Sequence, residues 1–159
     1  MALFGEATLC FEQALRALPE DWEKQALQQQ EGERFTAFIN DYAQLLKATN
    51  RLDEAEPLMR QALEIDQHSF GPDHPNVATS LNNLAQLLQA TNRLDEAEPL
   101  MQRVVEIFLI FLSKTGYSHP NLNAAIQNYL LLLQEMKYTP EQVEKKIAEL
   151  GLMQKDDAS

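Results

Sequence analysis

The chain has 159 residues, 45% apolar and 23% charged, which suits one domain with a real core. A formal net charge of −11 argues against nucleic acid or anionic membrane as the main partner, because phosphate binding needs clustered Lys and Arg. A single cysteine, Cys10, excludes an internal disulfide and fits a reducing, cytoplasmic setting.

The N-terminal stretch is not a signal peptide. It has no basic start, and Glu6 and Glu12 interrupt any apolar run. Cys10, Phe11, Ala14 and Leu15 are spaced as Leu58, Met59, Ala62 and Leu63 are further on. Residues 1–18 are therefore expected to form the second helix of a partial repeat, with the array beginning inside a longer one. Residues 19–34, which include Trp22, are rich in Gln, Glu and Lys. They read as an extension of the helix that holds Asn40, with Gly32 as its weak point.

The middle of the chain repeats itself. The string ATNRLDEAEPLM occupies residues 48–59 and again 90–101, an offset of 42. Upstream, Asn40, Ala43, Gln44, Leu45 and Leu46 match Asn82, Ala85, Gln86, Leu87 and Leu88. Such self-similarity marks a repeat architecture. The first unit is expected over 19–70 and the second over 71–115. Within the second, Leu81, Leu84, Ala85 and Leu88 recur at helical spacing, and Ala97, Leu100, Met101, Val104 and Phe108 make a second stripe. Thr91, Asn92 and Arg93 form a short polar turn between them. Asp95, Glu96 and Glu98 then face the positive end of the second helix. Pro57 and Pro99 are expected in the first turn or so, where backbone N–H groups have no intrahelical partner and proline is tolerated.

A degenerate third unit spans 116–151. His119-Pro120-Asn121 echoes His74-Pro75-Asn76, each proline expected to start a helix, and residues 122–134 follow the pattern of 77–89. Thr139-Pro140-Glu141-Gln142 is a capping box with proline at the first helical position. The helix it opens should end at about Leu150, with Gly151 as its stop, and could cap the array with a polar face. Residues 152–159 should be a frayed tail. The expected fold is all-α: a right-handed α-solenoid of antiparallel helix hairpins with about seven helices.

The pattern Leu81, Leu84, Ala85, Leu88, Leu94, Ala97, Met101, Val104 resembles the tetratricopeptide repeat. Its period exceeds the usual unit of roughly 34 residues. The extra residues lie around FGPDHPNVA. With the LNNLA and the acidic helix start that follow, that link resembles the kinesin light chain class of these repeats. The resemblance covers roughly residues 35–134. It implies a non-catalytic scaffold that binds a protein or peptide segment along its concave face.

No nucleophile motif, phosphate loop, cofactor motif or metal-ligand cluster is present. His74 and His119 occupy equivalent link positions, so a structural role is expected for both. The carboxylates Asp53, Glu54 and Glu56 and their copies read as a solvated helix-start face rather than paired acid and base groups. The informative residues are Thr79, Asn82, Gln86 and Gln89, which lie on one face turned away from the Leu81, Leu84 and Leu88 stripe. Their equivalents are Ala37, Asn40, Gln44 and Lys47 in the first unit and Ala124, Gln127, Leu131 and Gln134 in the third. An Asn and Gln ladder offers donors and acceptors together, which suits an extended peptide backbone. The resemblance implies the same use for Asn40 and Asn82, whereas Gln127 departs from the motif. A carboxylate clamp would need several cations in the groove, and Lys47 stands alone.

Residues 104–112, VVEIFLIFL, are apolar on all sides but too short to span a membrane. Either the third unit covers them, or Phe108, Ile110 and Phe111 form an interface with another chain. Self-association through this segment or through the open N-terminal face is the alternative to peptide binding. The chain would then be a structural spacer or homo-oligomerisation segment of a larger multi-repeat protein.

Overall fold

The structure, a computed structural model, describes residues 2–17 and 32–152. Most of the expected helix extension over 19–34, including Trp22, and nearly all of the expected frayed tail lie outside them. The described residues form seven α-helices and no strand: α1 (Ala2–Arg16), α2 (Gly32–Ala48), α3 (Leu52–Phe70), α4 (Pro75–Ala90), α5 (Leu94–Thr115), α6 (Leu122–Glu135) and α7 (Pro140–Glu149). Helices α2 and α3, then α4 and α5, pair as hairpins. Successive hairpins stack through α3 on α4 and α5 on α6, and α1 lies against α2.

The three hairpin turns share one backbone solution. The N–H groups of Arg51, Arg93 and Tyr138 donate to the carbonyls of Leu46, Leu88 and Leu133 at 2.8, 2.8 and 3.0 Å. That bond closes only if the preceding residue is left-handed, and Asn50, Asn92 and Lys137 have φ of 61, 57 and 60°. Asparagine tolerates this conformation because its short side chain bonds locally, whereas lysine has no such relief. The Thr49 and Thr91 hydroxyls add bonds to the last helical carbonyls.

Pro57 and Pro99 lie deeper than their sequence suggests. Helices α3 and α5 begin at Leu52 and Leu94, so each proline is the sixth helical residue and sits in the second turn. There it removes an intrahelical bond to the carbonyl of Asp53 or Asp95. The reason is that the turn ends at Arg51 and Arg93, so the helix starts immediately afterwards.

The links also differ. His74 is the N-cap of α4, with Pro75 first in the helix, and its Nδ1 accepts the Asn76 N–H at 3.2 Å. His119 Nδ1 accepts the Asn121 N–H at 3.2 Å in the same way. Yet Pro120 does not start a helix: α6 begins at Leu122, because Asn121 takes the N-cap position. Both imidazoles lie against a phenyl ring of the preceding helix, His74 on Phe70 at 4.8 Å and His119 on Phe108 at 4.4 Å. At the C-terminal end the capping box forms, with Gln142 N–H donating to Thr139 Oγ1 and Thr139 N–H to Gln142 Oε1. Gly151, at φ 71°, follows the end of α7.

The core runs continuously along the stack. Leu46, Met59, Leu84, Leu88, Met101, Ile107, Tyr129 and Leu133 are fully buried. Phe11 of α1 extends it by stacking on Tyr42 at 5.4 Å and packing on Phe38. Within residues 104–112, Val104, Val105, Ile107 and Phe108 are buried, and Leu109 and Leu112 pack on the core. Glu98 departs from the solvated-face reading of its repeat set. The residue is 9% exposed, and its carboxylate accepts the Tyr129 hydroxyl at 2.7 Å and pairs with Lys146 of α7 at 2.9 Å. The third hairpin lies over it, which no local pattern in α5 encodes. With Val143 and Ile147, this pair holds α7 to the stack.

Candidate peptide-binding groove

The first helix of each hairpin turns one side to the core and the other outward. Ile39, Ala43 and Leu46 of α2 and Leu81, Leu84 and Leu88 of α4 are buried. On the opposite sides Asn40, Gln44 and Lys47 are partly exposed, as are Asn82, Gln86 and Gln89, while Ala37 and Thr79 are exposed. Helix periodicity puts each set on one stripe, and the stacking of α2 on α4 sets the stripes side by side. On α6 the equivalents Ala124, Gln127, Leu131 and Gln134 are all exposed.

The ladder is partly bonded to itself. Asn40 Nδ2 donates to Ser80 Oγ at 3.4 Å, and Asn40 Oδ1 accepts from Asn83 Nδ2 at 3.4 Å. Ser80 in turn donates to the buried Asp66 at 2.6 Å. Lys47 Nζ donates to Gln86 Oε1 at 3.3 Å, and burial pushes the Lys47 ammonium below the ordinary lysine range. Gln89 Nε2 donates to Glu135 Oε2 at 3.4 Å, and Thr79 Oγ1 to the Pro75 carbonyl. Among the described residues, the Asn82 and Gln44 side chains make no hydrogen bond. These two amides keep their full donor and acceptor capacity for an incoming ligand.

Two small cavities open beside this ladder, one at each hairpin junction. The first, about 140 Å³, is lined by Thr36, Ala37, Asn40, Asp66, Asn76, Thr79 and Ser80. The second, about 120 Å³, is lined by Ala78, Thr79, Asn82, Val104, Phe108, Asn121, Ala124, Ala125 and Asn128. They are equivalent places in the repeat: Asn82 stands for Asn40, Phe108 for Asp66, Asn121 for Asn76 and Ala125 for Ser80. Sequence reading found the ladder but missed Asp66, Ser80 and Asn83. The one signal available was the exchange of Asp66 for Phe108, in a stretch where Gln67 and His68 also give way to Leu109 and Ile110.

The apolar candidates separate. Phe108 is 2% exposed and lies face to face with His119. Ile110 and Phe111 are half-buried and line a shallow groove of about 440 Å³ with Phe70, Pro72, His74 and Lys114. Among the described residues, no group of three or more His, Cys, Asp or Glu is placed to hold a metal ion, and no helix is long and apolar enough to cross a membrane.

A stack of antiparallel helix hairpins repeating every 42 residues, with polar first-helix faces aligned, defines an α-solenoid. Residues 33–109 match the tetratricopeptide repeat family model. The chain is also similar to a crystal structure of nearly identical TPR-like repeats of the kinesin light chain type from Podosopora anserina, with a TM-score of 0.67 at 23% identity. That likeness covers 96% of this chain and 70% of the other, and at this identity it speaks for the fold. No curated protein matches the sequence.

Proposed function

We propose that the chain is a non-catalytic scaffold module that binds an extended protein or peptide segment along the concave face of its array. The observation that carries this is the pair of amides, Asn82 and Gln44, which make no hydrogen bond among the described residues, beside the bonded Asn40, Lys47, Gln86 and Gln89. A peptide backbone presents alternating donors and acceptors, and each free amide can satisfy one of each. Thr79, Gln86 and Gln89 flank Asn82 on the same stripe, while Asn40 and Lys47 shape the groove through the bonds they make. The acidic chain, at −11, favours basic over acidic partners and disfavours nucleic acid. A cytoplasmic location fits the exposed, unpaired Cys10.

The test is a peptide-library screen against the intact chain, with binders re-measured on Asn82→Ala. Loss of binding with an unchanged helical spectrum is expected. Binders indifferent to Asn82→Ala, or no binder at all, would sink the reading.

A second reading is a spacer or self-associating segment. It is favoured by the half-exposed Ile110 and Phe111 in their shallow groove and by Leu9 of α1, which is 55% exposed. Sedimentation at high concentration separates the two, since a strict monomer leaves the second reading without support.

A further inference from the structure

The junction between α2 and α4 is latched by its own side chains. Asn83 of α4 donates to Asn40 of α2 at 3.4 Å, Asn40 donates to Ser80, and Ser80 donates to Asp66 at 2.6 Å. Asp66 and Ser80 are buried at the root of this chain of bonds. The repeat puts the equivalent positions at the junction between α4 and α6. There Asn82 stands for Asn40, Asn128 for Asn83, Ala125 for Ser80 and Phe108 for Asp66. The two asparagines are kept, but the polar root beneath them has become apolar.

The second junction is consequently unlatched. Asn82 and Asn128 line one cavity of about 120 Å³, yet among the described residues neither side chain makes a hydrogen bond. Both are half-buried, as Asn40 and Asn83 are, so exposure does not explain the difference. Asn121 at the rim makes no side-chain capping bond either.

We propose that the junction between α4 and α6 is the anchor point of the groove, where Asn82 and Asn128 together hold the backbone of an extended peptide and the cavity over Phe108 takes one branched aliphatic side chain. This rests on the peptide-binding reading above and names the residue class that the site selects.

The backbone half follows from the unmade bonds. Each amide has donors and an acceptor, and a peptide backbone has both. Two amides on neighbouring first helices, lining one cavity, can meet the same short stretch of ligand. The third unit thus contributes through Asn128, although Gln127 departs from the ladder. At the first junction the corresponding amides already spend part of this capacity on each other.

The side-chain half follows from the lining. Val104, Phe108 and Ala125 are buried and form an apolar floor, and Ala124 stands exposed at the mouth. No lining residue is charged, so a charged side chain would leave water without a partner. Phe108 is held by the His119 ring stacked on it at 4.4 Å, which keeps the floor from retreating to admit a large ring. A volume of about 120 Å³ suits one branched aliphatic side chain.

The experiment is a positional-scanning library of acetylated, amidated decapeptides against the intact chain, repeated on Asn82→Ala, Asn128→Ala and Ala124→Leu. The two asparagine variants break no side-chain bond within the described residues. Ala124→Leu fills the mouth of the cavity from an exposed helical position, and circular dichroism checks that all three fold. The expected result is selection of Val, Leu or Ile at one position. Alanine at that position of the peptide should weaken binding about tenfold. Asn128→Ala should weaken the same peptide roughly three- to tenfold without changing the residue selected. Ala124→Leu should erase the selection. Binders that depend on Asn82 but ignore Asn128→Ala, that keep their aliphatic selection in Ala124→Leu, or that select a charged residue or Trp overturn the anchor while leaving peptide binding intact. Sedimentation that shows self-association abolished by Ala124→Leu gives the cavity to a second copy and also overturns it. A library without any binder overturns both readings.

Discussion

Arg93 and Glu56 join consecutive hairpins, the guanidinium Nη1 donating to Glu56 Oε2 at 2.6 Å. The same guanidinium grips Glu96 at the start of its own helix with two bonds of 2.7 Å. One turn residue thus bonds a side chain in the first turn of α5 and ties it to α3. Arg51 repeats the device with Glu54 and with Glu12 of α1. Burial pushes the Glu56 carboxyl up, but the hydrogen bonds from Arg60 and Arg93 outweigh it and hold it below the ordinary glutamate range. Glu54 and Glu96 are lowered by their bonds to Arg51 and Arg93. For an acid with a lowered folded value, the unfolded chain binds protons first as pH falls. The stabilisation is therefore present above the ordinary glutamate range and lost as pH drops through the lowered values. Thermal melts should fall on acidification below about pH 5, and Glu56→Gln should flatten that fall. At neutral pH, Arg93→Ala should lower the melting temperature only slightly, and less in high salt, because the pair is exposed and screened.

The histidine caps give a prediction of stability. His74→Ala removes the acceptor for a helix-start N–H, and His119→Ala the acceptor for the N–H of Asn121, the N-cap of α6; each should cost about 1 kcal/mol, read as a shift in denaturant midpoint. Asparagine or aspartate at either place should recover most of the loss, because both accept the same bond. An alanine variant as stable as the parent would show that stacking on Phe70 or Phe108, rather than the cap, is what the imidazole supplies.

Lys137 is the strained member of the three hairpin turns. It holds φ 60° where the other two turns have asparagine. Lys137→Gly should stabilise the chain by roughly 0.5–1 kcal/mol, because glycine adopts that conformation without a Cβ clash. Asn92→Ala should destabilise by a similar amount. Chemical denaturation of both variants checks the pair.

The Tyr129, Glu98 and Lys146 chain decides how firmly α7 docks. The bond to Glu98 raises the Lys146 ammonium above the ordinary lysine value. For a base with a raised folded value, the contribution is complete below the unfolded value and lost as pH rises through the folded one. Hydrogen exchange in α7 should accelerate in Lys146→Met while α4 and α5 stay protected. Glu98→Ala should cost more than Tyr129→Phe, about 2 against 1 kcal/mol, because it leaves a buried hydroxyl without its acceptor.

Asn40 and Asn82 should behave differently despite equal places in the repeat. Asn40→Ala breaks two bonds between helices and should lower stability by about 1 kcal/mol. Asn82→Ala breaks none within the chain and should leave the melting curve within about 0.5 kcal/mol of the parent.

The duplicated ATNRLDEAEPLM and the spacing of Leu81, Leu84 and Leu88 were enough, as sequence, to determine the helices, the hairpins and the polar stripe. Those features depend on residues three or four apart, or on a turn of three, and local chemistry decides them. The capping box at Thr139 was legible for the same reason. The placement of Pro57 and Pro99 was misread because a helix start is set by the turn before it. Whether Asn40 or Asn82 is the free amide depends on Ser80 and Asn83, some forty residues away from Asn40 and on the next hairpin. The burial of Glu98 depends on Tyr129 and Lys146, which approach only when the third hairpin stacks. A repeat period says which positions are equivalent, but only tertiary packing decides which of them are already bonded.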